Sequence, residues 1–270
     1  MSWVTLDHGN SSLHWCLWAE DEPGHLIVQQ RGVHSSDPRG AGWAELGAFL
    51  PEGFAGETFY CGVAGSLRAD ETRRAWEGVA PLSSWREPLT TLSNDCEPQA
   101  SVGKDRLMAA QGAQAALGSD VVIVDVGTAL TVDALKHERG APRFLGGAIA
   151  PGPTALAAAL GDAGAQLFEV APQAEASALG RTTAAALSAG VSVGLAGAAA
   201  RLVKEISMEA GLEEAPVVIT GGARAFLSRA GLFGSRELRV FPDLVHAGLL
   251  AAAGIECELE EETWTSASVS

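Results

Sequence analysis

Apolar and polar residues alternate over short runs at the start of the chain, the period of a half-buried strand. Residues 3–6, 13–18 and 25–33 carry such runs with turn residues between them, so three strands are expected. Asp7-His8-Gly9-Asn10 suits a hairpin between the first two, because Gly and Asn tolerate positive φ. Helical period follows at 41–50, strand-like runs at 58–63 and 88–92, and helical period again at 104–117, where Gly118 is a natural stop.

The order then repeats. Residues 121–125 read as a buried strand, Gly127-Thr128 as a turn, and 130–135 and 143–149 as two more strands, ended by Pro151-Gly152-Pro153. A long Ala/Gly-rich helix is expected over 182–208, a buried strand at 217–220, a helix at 223–230, a strand at 238–241 and a last helix at 243–255. Leu6-Asp7-His8-Gly9-Asn10-Ser11 is echoed 118 residues later by Val124-Asp125-Val126-Gly127-Thr128-Ala129. Each copy joins a first strand to a second, with a third to follow. Two α/β domains of one plan are therefore expected, residues 1–117 and 118–255, with Asp7 and Asp125 facing one cleft.

Composition narrows the function. Lys and Arg total 18 against 33 Asp and Glu, a net charge of −15. So acidic a chain is a poor binder of nucleic-acid backbones or anionic membranes, and neither partner is expected. With 47% hydrophobic residues it can bury a core. No apolar run approaching the ~18 residues of a membrane span stands out. The N-terminus lacks the basic start and apolar stretch of a signal peptide, which points to the cytoplasm. Cys16, Cys61, Cys96 and Cys257 form no CxxC, so reduced thiols rather than a zinc knuckle are expected. Residues 256–270 hold five Glu and no Lys or Arg, and read as an acidic, disordered tail.

Candidate chemistry sits in the turns. Gly in an Asp-x-Gly turn lets backbone N–H groups approach a phosphate. The Asp would repel that phosphate unless a cation lies between them, so two such turns suggest a metal–nucleotide complex. Two ordinary hairpins with a capping Asp are the alternative. The Gly-rich segments 146–152 and Thr220-Gly221-Gly222-Ala223 suit close backbone approach to a nucleotide, or are simply tight turns. Gly103-Lys104-Asp105-Arg106 opens a helix, with a carboxylate placed to accept a hydroxyl proton and an Arg to anchor an anion. The flanking cations and the helix start both predict a lowered Asp105 pKa. A helix start with surface charges is the plain reading of the same residues. Gly190-Val191-Ser192-Val193-Gly194 matches a hydrolase nucleophile motif but falls inside the long helix, where its glycines read as close-packing positions. Asp125 follows a buried strand with no cationic residue beside it in sequence, so a bound cation is expected.

In chain order, DHGNS at 7–11, GKDR at 103–106, DVGTALTVD at 125–133, GGAIAPG at 146–152, LGRTT at 179–183, TGGA at 220–223 and PDLVHAGL at 242–249 resemble one family. They are similar to the motifs of type III pantothenate kinases, of the acetate and sugar kinase/heat-shock chaperone/actin superfamily. The resemblance covers residues 3–250. It implies two duplicated actin-like (ribonuclease H-like) ATPase domains facing a central cleft. It implies transfer of the ATP γ-phosphoryl to the 4′-hydroxyl of pantothenate, the first step of coenzyme A biosynthesis, by a homodimer. Asp105 would be the proton acceptor. Gly103, Lys104, Asp105, Arg106 and Thr183 would contact pantothenate. Asp7, His8, Gly9, Asn10, Ser11, Thr128, Gly221 and Gly222 would contact ATP, Asp7 through Mg²⁺. Asp125 would hold a monovalent cation, K⁺ or NH₄⁺.

The chain departs from the family pattern in places. Asp95-Cys96-Glu97-Pro98 stands where the family has Y-x-x-P, Ser11 replaces a usual Thr, and Tyr60 is the chain's one Tyr. A catalytically weak regulatory homologue of the same fold, or a kinase for another small hydroxy acid, is the alternative function.

Overall fold

The structure, a computed structural model, describes residues 2–35, 47–48, 50–52, 54–62, 65–80, 84–138, 141–162 and 168–264. In chain order its elements are β1 (Ser2–His8), β2 (Ser12–Glu22), β3 (His25–Ser35), β4 (Glu57–Gly62), α1 (Gly65–Glu77), β5 (Trp85–Arg86), β6 (Ser93–Asn94) and α2 (Lys104–Leu117). There follow β7 (Val121–Val126), β8 (Ala129–Glu138), β9 (Ala141–Pro151), α3 (Pro153–Asp162), α4 (Thr183–Ala210), β10 (Val217–Thr220), β11 (Leu238–Val240) and α5 (Leu244–Ala252).

Contacts divide the chain into two units. One comprises Met1–Leu92, Glu97–Gly118 and Asp243–Glu260, the other Ser93–Cys96, Ser119–Pro242 and Glu261–Ser270. Chain order alone places residues 243–255 in the second half, whereas in the structure they pack in the first unit.

The first unit's sheet runs β3-β2-β1-β4-β5. Strands β1, β2 and β3 form an antiparallel meander, and β4 and β5 add in parallel to β1. The second unit's sheet runs β11-β10-β7-β8-β9-β6. There β7, β8 and β9 form the meander, while β10 and β11 add in parallel to β7. The five-strand plan is the same in both, with β6 as an extra parallel edge beside β9. Two sheets of one plan, each an antiparallel meander extended in parallel from its first strand, are the expected duplicated α/β architecture.

Each unit has its own core. Val4, Leu6, Leu13, Trp15 and Leu17 alternate inward from β1 and β2 onto Tyr60, Trp76 and Trp85. Helix α2 packs on α5 where glycines meet: a Cβ at Gly112 would lie 2.2 Å from Leu244 O, and one at Gly248 1.8 Å from Met108 O. That close approach draws the last helix to the first unit. His246 on α5 adds a buried bond, its Nδ1 2.9 Å from Thr5 Oγ1, which also accepts from Trp18 Nε1 at 2.8 Å.

In the second unit Val122, Val124 and Val126 of β7 pack on Val191, Leu195, Ala199 and Val203 of α4. Helix α4 is capped by Thr182, whose side chain accepts from Ala185 N, and closed by left-handed Gly211. It corrects one expectation, because its 28 residues are long and apolar enough to cross a membrane. Its apolar character comes from Ala together with Leu, Val and Ile, and one of its faces lines the core just described. Gly190 and Gly194 lie in this helix, but a Cβ at either would meet no atom within 4 Å, so they serve no close packing among the described residues.

Other differences have local causes. Residues 87–92 form no strand: Pro88 has no N–H to give, and the Thr91 N–H and Thr90 hydroxyl bond Gln111 Oε1 instead. Residues 223–230 make only a short 3₁₀ turn, Arg224–Leu227, anchored by buried Phe226 and Leu227. Pro153 starts α3 rather than ending the segment, as Pro does at a first helical position. The helix expected at 41–50 lies largely outside the described residues. The tail is tied down as far as Trp264: Glu258 N donates to Leu26 O at 2.9 Å, and Glu258 and Glu260 pair with His25 and Arg31.

Candidate active site

In the first unit, Asp7 sits next to the end of β1, and Gly9 N donates to Ser12 O at 2.9 Å to close the turn. Asn10 and Ser11 are exposed at its tip. Parallel pairing of β1 with β4 sets Asp7 against Cys61, whose thiol donates to Asp7 Oδ1 at 3.4 Å. Burial pushes the Asp7 carboxyl up to about 7; the Asp105 charge adds to this and the thiol bond opposes it. Asp105 lies in the first turn of α2, and its Oδ1 accepts from Arg106 N at 2.8 Å. Its carboxyl is raised by burial, against the opposing pull of Arg106. The expected lowering is thus reversed, since desolvation outweighs the neighbouring cation. Lys104 is exposed and pairs with Glu87 at 3.3 Å.

His8 turns the other way. Its ring is fully buried, with Nδ1 2.9 Å from Thr72 Oγ1 and 3.4 Å from Tyr60 OH. The imidazole bolts the end of β1 to α1 and β4. The sequence alone does not place Cys61, Tyr60 or Thr72 beside Asp7 and His8. The strand expected at 58–63 was the available signal, because a parallel neighbour of β1 must lay its side chains beside Asp7 and His8.

In the second unit, Asp125 on β7 precedes a two-residue turn, Gly127-Thr128, closed by Gly127 N to Ala129 O at 2.8 Å. Two glycine-rich segments, 146–152 and 220–223, converge on it. Gly152 N donates to Thr128 O at 3.0 Å, and a Cβ there would come within 2.2 Å of Gly127 O. Ala223 N donates to Val126 O at 2.8 Å. Gly221 has φ 94°, and a Cβ on it would fall 2.3 Å from both Asp125 Oδ1 and Val126 O. Only glycine lets this backbone lie against the Asp125 carboxylate. Thr128 and Gly222 are exposed beside the turn, and Thr183 is exposed at the first position of α4. Asp95 pairs with Arg143, and a Cβ at Gly146 would lie 3.1 Å from Cys96 Sγ, so the segment that departs from Y-x-x-P is packed against the 146–152 run.

The donor set fits hard cations. Among the described residues no three His, Cys, Asp or Glu side chains group as a metal cage. Magnesium, however, is commonly held by one or two carboxylates together with substrate phosphates. Asp7, held near neutrality and sensing the Asp105 charge, is a carboxylate that gains from such a cation. Oxygens of Asp125 and Val126 crowd Gly221 in the second unit, and oxygen ligands suit an alkali or ammonium cation.

The type III pantothenate kinase family profile matches residues 3–205. A relative from Paracidovorax citrulli, named as a type III pantothenate kinase, is 30% identical over 264 residues, 94% of this chain and 98% of its own. The chain belongs to the type III pantothenate kinase family. Two solved structures show the same fold. One is a Campylobacter jejuni protein described as a Baf family transcriptional activator, with TM-score 0.56 and 19% identity, covering 93% of this chain and 97% of that one. The other is the activator of 2-hydroxyisocaproyl-CoA dehydratase from Clostridium difficile with bound ADPNP, with TM-score 0.51 and 15% identity, covering 94% and 93%. As a family member, the chain pairs a unit with a raised carboxyl at a helix start and a unit with a glycine-lined turn. The first can accept a proton, and the second can admit a phosphate or sugar close to backbone N–H groups.

Proposed function

We infer that this chain is an ATP-dependent kinase that phosphorylates the 4′-hydroxyl of pantothenate, entering coenzyme A biosynthesis. The observation that carries the chemistry is Asp105: a half-buried, raised carboxyl at a helix start, in the electrostatic reach of Asp7. Asp105 accepts the acceptor's hydroxyl proton as the new O–P bond forms and the bond to the β-phosphate breaks, releasing ADP. A raised carboxyl is the better base for this step. Arg106, with Gly103 and Lys104, anchors the acceptor's carboxylate, and Thr183 adds a further contact. The turn at Gly9, Asn10 and Ser11 in the first unit, and the glycine-lined turn at Thr128, Gly221 and Gly222 in the second, would each contact the nucleotide. His8 contributes by fixing the first turn from within the core.

Asp7 would hold Mg²⁺ and Asp125 a monovalent cation, K⁺ or NH₄⁺. When bound, these supply neutralisation of phosphate charge. The enzyme works as a cytoplasmic homodimer, without nucleic acid or membrane.

The test is direct. Protein, Mg·ATP and pantothenate are incubated with K⁺ or with Na⁺ alone, and the product is read by mass. Phosphopantothenate formed in K⁺, and lost in Asp125→Ala, supports the reading. ATP turnover on another hydroxy acid but not on pantothenate would replace the acceptor assignment, and no turnover on any acceptor would remove the kinase reading itself.

A further inference from the structure

The C-terminal segment looks from sequence like an acidic tail without a task, yet one of its carboxylates reaches the glycine turn that lies on Asp125. Glu262 N donates to Val240 O at 2.8 Å, which lays the segment along the edge strand β11. Arg239 on that strand donates Nε to Glu261 Oε1 at 2.6 Å and fixes the register from the neighbouring residue. The Glu262 side chain then meets Arg224: Nε lies 2.7 Å and Nη2 2.6 Å from Glu262 Oε2. Its other oxygen accepts from Trp264 Nε1 at 3.2 Å, and Trp264 packs against the second unit's core.

Arg224 is the residue at the other end of this contact. It starts the 3₁₀ turn directly after Thr220-Gly221-Gly222-Ala223, and its Nη1 donates to Gly221 O at 3.2 Å. Gly221 N–Cα–C is the piece of backbone that crowds Asp125. A continuous path therefore runs from Trp264 through Glu262 and Arg224 to the Gly221 carbonyl. Both glycines of this turn lack side chains and Gly221 is left-handed at φ 94°, so the turn is held by backbone bonds alone, Arg224 N to Gly221 O at 3.2 Å and Ala223 N to Val126 O at 2.8 Å, until the Arg224 guanidinium adds a side-chain bond to the same Gly221 carbonyl. An Arg held by a carboxylate at two nitrogens has a fixed plane, and its remaining nitrogen can then hold a carbonyl in one place.

We propose that Glu262 is a positioning residue for nucleotide binding: it orients Arg224, which holds the Gly221-Gly222 turn in its binding shape. The proposal rests on the reading that this turn binds the nucleotide. It makes the acidic segment, out to Trp264, a working part of the nucleotide half-site.

The experiment measures Mg·ADP binding by calorimetry to full-length wild type, Glu262→Ala, Glu262→Gln, Arg224→Lys and Glu262→Ala/Arg224→Lys. Loss of a charge-assisted contact predicts roughly tenfold weaker ADP binding for Glu262→Ala and Arg224→Lys, with an intermediate loss for Glu262→Gln. The double variant should bind no more weakly than the worse single one, because the two residues act in series. Wild-type affinity should fall with added salt more steeply than that of Glu262→Ala. In turnover, KM for ATP should rise while KM for pantothenate and kcat stay within about twofold. Additive losses in the double variant would mean that the two residues act separately, and the proposal would fall. So would equal ADP binding by all variants, or tighter binding in Glu262→Ala, which would make the segment a competitor of the phosphates. A wild type that binds no Mg·ADP at all would instead overturn the nucleotide reading on which the proposal stands.

Discussion

The two units of this chain share a five-strand order, and each hangs an Asp-x-Gly turn from its first strand, but the two turns live in opposite surroundings. The first is set among groups that carry protons: Asp7 beside the Cys61 thiol, within the field of Asp105, with His8 bonded underneath to Thr72. The second is set among backbone: Gly152 and Gly221 abut it so closely that a methyl group on either would meet an oxygen within 2.3 Å. Duplication supplied one scaffold twice. Side-chain content then set one turn among titratable groups and the other among closely packed backbone.

The comparison breaks most easily at Asp105. Asp105→Asn keeps the shape and removes the base, so kcat should fall about 10²–10⁴-fold while Mg·ADP affinity measured by calorimetry stays near wild type. Near-normal turnover would take the proton chemistry away from the first unit. Glycine substitutions sharpen the other half. Gly221→Ala meets both a left-handed φ of 94° and the Asp125 carboxylate, and should cost roughly 1–3 kcal/mol in urea melts and weaken ADP binding. Gly9→Ala, whose Cβ would meet nothing nearer than Ser12 O at 3.4 Å, should cost less than about 1 kcal/mol. Equal penalties would deny that the second turn is the crowded one.

Within the first unit, half-buried Asp7 and buried His246 oppose each other in pH. Asp7 is raised from 3.8 to about 7, so the stability tied to its protonated form is present below pH 3.8 and is lost as pH rises through 7. His246 is held down at about 3 by burial, so its contribution is present above its ordinary value near 6.5 and is lost as pH falls toward 3. Each slope is at most about 1.4 kcal/mol per pH unit. Between pH 4 and 6.5 they partly cancel in the wild type. Melting midpoints of Asp7→Asn should therefore fall more steeply with acid than those of wild type, and those of His246→Asn should fall more steeply with base. Parallel profiles for all three would refute the assignment. The smallest expected effect is at Thr72. Thr72→Val should cost about 1 kcal/mol by removing one bond to His8, because Tyr60 OH remains at 3.4 Å, and Thr72→Ser should restore it.

Much of this was legible along the chain. The alternation at 3–6 and 13–18 and its return at 121–125 and 130–135 marked both meanders, and the Asp-x-Gly spacing marked the duplication. Motif residues Asp7, Asp105, Asp125 and Gly221 all sit at turns or helix starts, where local chemistry is written in short stretches. What stayed hidden depends on contacts remote in sequence. Cys61 reaches Asp7 across 54 positions through a parallel strand pair, and Glu262 reaches Arg224 across 38 through an edge strand. The helix expected at 223–230 fails because Phe226 and Leu227 are drawn into the core before a second turn can form.

The sequence by itself determined the two meanders, their Asp-x-Gly turns and the duplicated plan, because period and glycine act on neighbouring residues whatever the rest of the chain does. Tertiary structure alone decided which unit the last helix joins, through the Gly112–Gly248 contact, and which way the Asp105 carboxyl shifts. Flanking charges in sequence favour its ionised form, but desolvation depends on everything packed around the group, and at Asp105 desolvation is the larger effect. The acidic segment at the C-terminus shows the same rule: its composition alone reads as a free tail, and it is ordered because Arg31, Arg224 and Arg239 lie where its carboxylates arrive.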